Sequence, residues 1–316
     1  MKRAAAALVV VVFAGAGFVW ITKPWVPNIV ISDPGPRGRR ITQHGVFANY
    51  FPVRTADHGP AVLLLGGSEG GIKGTGVARS LQAAGLTVLQ PAYFGAPGEP
   101  KQLERIPLET FDRALAWLRA QPEVDPDRVA VLGQSKGAEA ALLVGTRDPR
   151  LRAVVASAGS SYAWPGIDWN SFHSNASWTA GGKDVPFLPY GAFHLLSFLR
   201  GDIGRVYFDA LPNGARHQDA VIRVERIAGQ VLLVCGEDDT LWPSCPMSRM
   251  NEARATRRGK LIEVLAYKHA GHHVFGPPSE PDDPALRRFG GTPEGNNAAR
   301  RDAWPKVVAF LQHALA

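Results

Sequence analysis

Three side chains able to form a nucleophilic relay stand far apart in the chain. They are Ser135 in Gly133-Gln134-Ser135-Lys136-Gly137, Asp239 in Gly236-Glu237-Asp238-Asp239, and His272 in Ala270-Gly271-His272-His273. A serine hydroxyl is a weak nucleophile, so it needs a base, and an imidazole base needs a carboxylate to hold its orientation. The G-x-S-x-G spacing suits the serine, because glycine on either side leaves room for a strained turn that exposes the hydroxyl. Asp239 is preferred over Asp238 because it lies nearer to Pro243; the competing reading is that these acids only cap a turn. His272 is preferred over His273 and His269 because Gly271 directly before it lets the backbone turn tightly. The six remaining histidines lack this setting. An acyl-transfer transition state also needs donors for its oxyanion. The backbone N–H of Lys136 and that of Ser68, in Gly66-Gly67-Ser68-Glu69-Gly70-Gly71, are the expected pair. That glycine loop lacks the Gly-Lys-Ser/Thr ending of a phosphate-binding loop, which argues against nucleotide hydrolysis.

These residues need a scaffold, and the hydrophobic pattern supplies one. Residues 61–66 read as a buried strand opening onto the glycine loop, residues 77–84 as a helix, and residues 86–90 as a second strand. Leu108, Phe111, Leu115 and Leu118 recur at helical spacing, and residues 128–132 return to an apolar strand just before the serine turn. Ala138 to Val144 reads as the helix that follows. Residues 231–234 and 261–265 read as later strands, each placing a candidate residue just beyond its carboxyl end. Alternating strands and helices predict an α/β fold with a mostly parallel central sheet flanked by helices.

Several motifs together carry a family resemblance. They are Leu65-Gly66-Gly67-Ser68-Glu69-Gly70-Gly71, Pro91-Ala92-Tyr93-Phe94-Gly95, Gly133-Gln134-Ser135-Lys136-Gly137-Ala138-Glu139, Gly236 to Asp239 with Trp242-Pro243-Ser244, and Ala270-Gly271-His272. From about Gly45 onward the chain resembles the C-terminal catalytic domain of the acyl-CoA thioesterase and bile acid-CoA:amino acid N-acyltransferase family. The resemblance implies the α/β-hydrolase fold and thioester or ester chemistry at Ser135. Family members that conjugate amino acids typically carry cysteine at that position, so serine leans towards hydrolysis. Animal members place a β-sandwich before this domain, whereas only about 40 residues separate the apolar leader from the first expected core strand, too few for such a unit. Acyl transfer to an amine or alcohol acceptor, and a catalytically inactive lipid-binding protein, are the alternatives; the complete triad counts against the latter.

The rest of the sequence bounds location and partners. With 316 residues, 45% of them hydrophobic, the chain suffices for one substantial core. A net charge of +7 admits an anionic partner, but no basic stripe with interleaved aromatics supports nucleic-acid binding. Residues 1–25 carry an apolar run from Ala4 to Thr22 behind Lys2 and Arg3, and read as an uncleaved membrane anchor. A cleaved signal peptide is the competitor, through Ala14-Gly15-Ala16. Basic residues flank the run on both sides, Lys2 and Arg3 before it and Lys23, Arg37, Arg39 and Arg40 after it, and a catalytic domain outside the cytoplasmic membrane is the preferred reading because export signals share this layout. Residues 26–44 read as a linker and 45–316 as the catalytic domain, with a lid over about 160–214 where aromatics such as Tyr162, Trp164, Trp169, Trp178 and Tyr207 accumulate. These could form an acyl pocket or simply pack the insertion against the core. Cys235 is expected as a free buried cysteine in a strand, with a disulfide to Cys245 open if the domain is exported. Lys136 is expected as an exposed lysine pairing with Glu139, in preference to a contact with a substrate phosphate. No metal or cofactor is implied. Asn175-Ala176-Ser177 matches a glycosylation sequon.

Overall fold

The apolar runs fold into the centre of one sheet. The computed structural model describes residue 26 and residues 28–53, 58–168 and 174–316. The expected anchor, residues 1–25, lies outside the described residues, as do Trp169 and Phe172. Among the described residues no helix is long and apolar enough to cross a membrane.

The strands in chain order are β1 (Val30–Ile31), β2 (Arg39–Gln43), β3 (Val46–Phe51), β4 (Gly59–Leu65), β5 (Gly71–Ile72), β6 (Thr87–Pro91), β7 (Ile106–Pro107), β8 (Val124–Gln134), β9 (Ala153–Ser157), β10 (Trp178–Ala180), β11 (Lys183–Asp184), β12 (Gln230–Gly236) and β13 (Glu263–Tyr267). Eight of them form the main sheet in the order β13-β12-β9-β8-β4-β6-β3-β2. From β6 to β13 the pairing is parallel, and β3 and β2 are added antiparallel. Parallel strands covered on both faces need apolar residues at every position. β4 shows this, with Leu63 and Leu65 facing one core cluster and Val62 and Leu64 the other.

The helices α1 (Gly76–Ala83), α2 (Glu109–Arg119), α3 (Lys136–Arg147), α4 (Leu195–Leu199), α5 (Arg205–Ala210), α6 (Ser244–Arg257) and α7 (Pro293–Ala314) follow or flank the strands. α2 and α3 contribute Phe111, Leu115, Leu118, Ala140 and Ala141 to one face of the sheet. α1 and α7 contribute Leu81, Trp304, Val307 and Leu311 to the other. This is the expected α/β-hydrolase architecture.

The structure differs from the sequence reading at its edges. Residues 26–44, read as a linker, contain β2, whose pairing with β3 makes it a sheet strand, and β1, which pairs with β5 beyond the glycine loop. β2 buries only Ile41, so it lacks the apolar run by which the inner strands announce themselves. The last strand runs Glu263–Tyr267, two residues later than expected, and leaves Leu261 87% exposed. An edge strand has a one-sided, weaker hydrophobic signal, which blurs its boundaries.

The aromatic insertion is not one layer. Tyr162, Trp164 and Tyr207 cluster with Trp242 and Met247, whereas Trp178 on β10 joins the main core beside Tyr93 and Phe111. Phe193 and Phe208 are exposed on its outer side.

Candidate active site

Ser135 follows β8 at the start of α3 with φ 56° and ψ −123°, a backbone conformation that L-residues other than glycine rarely adopt. Its N–H donates to Ser157 O on the neighbouring strand at 2.9 Å. Close packing explains the flanking glycines. A Cβ on Gly133 would lie 2.0 Å from Gly137 O, and one on Gly137 would lie 2.1 Å from Gly66 O. The turn therefore brings the first residues of α3 against the loop after β4. On that loop a Cβ at Gly67 would sit 3.4 Å from Ser135 Cβ, so its backbone passes beside the serine.

Ser68, one residue further on, borders a small cleft with Val26, Ile29, Glu69, Phe94, Lys101 and Gln102. Among the described residues neither the Gly67 nor the Ser68 amide donates a hydrogen bond. The Lys136 amide, first in α3, has no intrahelical acceptor.

Asp239 and His272 meet directly. His272 Nδ1 and Asp239 Oδ2 are 2.9 Å apart, and both side chains are almost fully buried. A carboxylate can only accept, so the imidazole carries its proton on Nδ1 and leaves Nε2 free to accept. Asp239 Oδ2 also accepts from Ser244 Oγ at 2.7 Å. Its Oδ1 accepts from the Leu241 and Trp242 amides at 2.9 and 3.3 Å. Both loops are sewn together, since Asp238 N donates to Ala270 O and His272 N to Phe289 O. A Cβ on Gly236 would strike Ala270 O and Gly271 O, each at 2.3 Å.

The competing residues are placed elsewhere. Asp238 and His269 are exposed and 3.9 Å from each other, away from the buried pair. His273 stacks on Phe289, and burial, with His272 next, lowers its pKa to about 4. Among the described residues no hydrogen bond joins Ser135 to His272, in keeping with the loose geometry common before substrate binds.

Ser135, Asp239 and His272 thus lie beyond the carboxyl ends of β8, β12 and β13 of one parallel sheet, and comparison with known proteins shows the family. Residues 106–316 match the family described as BAAT / acyl-CoA thioester hydrolase C terminal. The chain belongs to this family. It is 28% identical over 291 residues to acyl-coenzyme A thioesterase 1 of Rattus norvegicus, covering 89% of this chain and 66% of that protein. It is 27% identical over 291 residues to the mitochondrial acyl-coenzyme A thioesterase 2 of the same organism, covering 89% and 61%. The chain thus spans less than two thirds of the length of these curated relatives. A solved esterase of Pyrobaculum calidifontis superposes with a TM-score of 0.56 at 16% identity, covering 96% of this chain and 92% of that one, a likeness of fold.

Within this member of the BAAT / acyl-CoA thioester hydrolase family, the lysine of the serine turn is not exposed as the sequence suggested. Lys136 is 2% exposed and its Nζ donates to Glu139 Oε2 at 2.9 Å and to Pro165 O at 3.4 Å. Glu139 Oε1 accepts from the Trp164 N–H at 3.0 Å and from Trp178 Nε1 at 2.6 Å. Burial pushes the Glu139 carboxyl up and the Lys136 ammonium down, and their pairing opposes both shifts. The insertion folds over the start of α3 and covers the pair, which residue spacing alone does not show. Cys235 is buried in β12 as expected, but it is not free: it forms a disulfide with Cys245 at the second position of α6.

Sequence reasoning missed Ser244, which abuts the carboxylate, and Asn296, whose Oδ1 accepts from the Gly271 N–H at 2.7 Å. The available signals were Ser244 beside Pro243 and the Gly290-Gly291 pair, whose left-handed residues let the chain pass under Asp238 and Ala270.

Proposed function

We propose that the protein is a serine-dependent acyl hydrolase acting on acyl thioesters or carboxylic esters. The observation that carries this reading is the buried His272–Asp239 hydrogen bond, set at the end of the sheet that bears Ser135 on its strained turn. His272 Nε2 takes the proton of Ser135 as Oγ attacks the acyl carbon, and Asp239 stabilises the imidazolium that results. The Lys136 N–H and the Ser68 N–H donate to the tetrahedral oxyanion, roles supported by the approach of the Gly67 backbone to Ser135. His272 then protonates the departing thiol or alcohol, leaving an acyl group on Ser135. Water attacks that acyl-enzyme by the same steps in reverse, releasing the carboxylic acid. Two relatives named as acyl-coenzyme A thioesterases support the thioester half of the reading.

The catalytic domain faces an oxidising compartment in this reading, tethered through residues 1–25. The Cys235–Cys245 disulfide supports that placement, because such bonds persist outside the reducing cytosol. There the enzyme would meet acyl esters more readily than acyl-CoA.

Ser135→Ala should abolish turnover of acyl-CoAs and p-nitrophenyl esters of graded chain length, together with labelling by a fluorophosphonate. Undiminished labelling of a folded Ser135→Ala protein would put the nucleophile elsewhere.

A further inference from the structure

Asp239 is held almost entirely by its own loop. Of the four hydrogen bonds to its carboxylate, those from the Leu241 N–H, the Trp242 N–H and Ser244 Oγ arise within five residues of it, and the fourth is the bond to His272. The loop leaves β12 after Gly236 and rejoins regular structure at Ser244, where α6 begins. Its two ends are joined covalently by Cys235 and Cys245, ten residues apart in sequence and both fully buried. Ser244, which donates to Oδ2 at 2.7 Å, is the residue next to the bridged Cys245.

We propose that the Cys235–Cys245 disulfide and Ser244 are positioning elements of acyl transfer, the bridge fixing the start of α6 so that Ser244 and the loop amides aim Asp239 Oδ2 at His272. The inference rests on the Ser135–His272–Asp239 reading above. With the bridge open, α6 keeps its packing through Met247 and Ala255, but nothing covalent fixes Ser244 relative to the end of β12. Asp239 then drifts relative to the imidazole. Removing such an acid outright lowers kcat by about 10⁴-fold. A displaced carboxylate keeps part of its effect, so a loss on the order of 10- to 100-fold is expected, carried by kcat because the loop does not need to touch the acyl chain.

The test uses the full-length protein in a mild non-ionic detergent. Dithiothreitol supplies two electrons and two protons, turning the disulfide into two thiols while the reagent closes to its cyclic disulfide. Thiol titration confirms two new thiols, and circular dichroism confirms the fold. The Cys235→Ala/Cys245→Ala variant reaches the same state without reductant, and Ser244→Ala removes the hydroxyl with the bridge intact. The proposal expects all three to lower kcat with KM within about twofold and to slow fluorophosphonate labelling of Ser135; reoxidation should restore the reduced enzyme. Wild-type kcat and an unchanged rate of fluorophosphonate labelling in folded reduced protein, or in folded Ser244→Ala, would overturn it. An active Ser135→Ala control would instead mean that the triad reading has failed, and the two failures are told apart by that control.

Discussion

Lys136→Met should destabilise the protein far more than the loss of a surface lysine could. In the folded state the Glu139 carboxylate is fully buried, and Lys136 is the only cation bonded to it among the described residues. Methionine keeps much of the side-chain volume but leaves an uncompensated buried charge, which costs about 3–5 kcal/mol in comparable pairs. The Trp164 N–H and Trp178 Nε1–H stay in place and keep the lower end of that range, about 3 kcal/mol, the better expectation. For a domain of this size, that corresponds to a drop in Tm of about 5 °C. The pH dependence has a defined sign. Burial raises the folded-state pKa of Glu139 above its unfolded value, so the native variant holds a proton that the unfolded chain has released. Its stability is then greatest below the unfolded pKa of Glu139 and is lost as pH rises through the folded one. Urea unfolding followed by tryptophan fluorescence, at pH 5 and pH 8, measures both effects. Adding Glu139→Gln should recover most of the loss, since the amide oxygen of the substituted side chain can still accept from both tryptophan donors. A Lys136→Met protein within about 0.5 kcal/mol of wild type at pH 8, or a double variant no better than the single, would refute the reasoning.

Asp239→Asn and His272→Ala should each lower kcat by about 10³-fold or more, with Asp238→Asn and His273→Ala far milder, as steady-state kinetics on a chromogenic ester will show. His273 has its pKa lowered to about 4 by burial, followed by the charge of His272. The unfolded chain therefore binds the proton first, so stability is lost as pH falls from about 6.5 towards 4, by about 3 kcal/mol; His273→Gln should flatten that part of the profile in acid-unfolding curves. In the native host the full-length protein should resist extraction by high salt and carbonate, whereas release with a mature amino terminus near Gly17 would mean that the leader is cleaved.

The inner fold was legible because its signals are local and strong. Residues 61–66, 86–90, 128–132 and 231–234 were read as strands and fall on β4, β6, β8 and β12, although β8 begins four residues before its apolar run. Each is buried on both faces, so an unbroken apolar run marks it. β2 and β13 lie at the edges of the sheet, and the pattern that should mark them is half polar. The Asp239–His272 contact was legible through chain order and the glycines that clear a path for two loops. What escaped was the joining of the two cysteines, which the sequence left open, and the burial of Lys136. The disulfide needs β12 and α6 to be brought together in space, and the burial of Lys136 needs residues 164–178 to fold over α3. Neither can be read from spacing along the chain.

The burial of Lys136 also constrains how a leaving group can be recognised. A lysine directly after the nucleophile invites the idea that it meets the phosphates of a coenzyme A thioester. Its ammonium instead donates to Glu139 and Pro165, stands 5.6 Å above the Trp178 ring, and is closed off from solvent. Drawing it out to a phosphate would strand the Glu139 carboxylate, the same penalty that Lys136→Met incurs. A phosphate-bearing leaving group must therefore be met by cations that are already exposed. Lys73 and Lys101 are exposed, and they border the clefts beside the glycine loop that carries Ser68. A plain acyl ester needs neither of them. In the proposed reading the serine turn serves the acyl carbon that thioesters and esters share, and the choice between them falls to groups outside it.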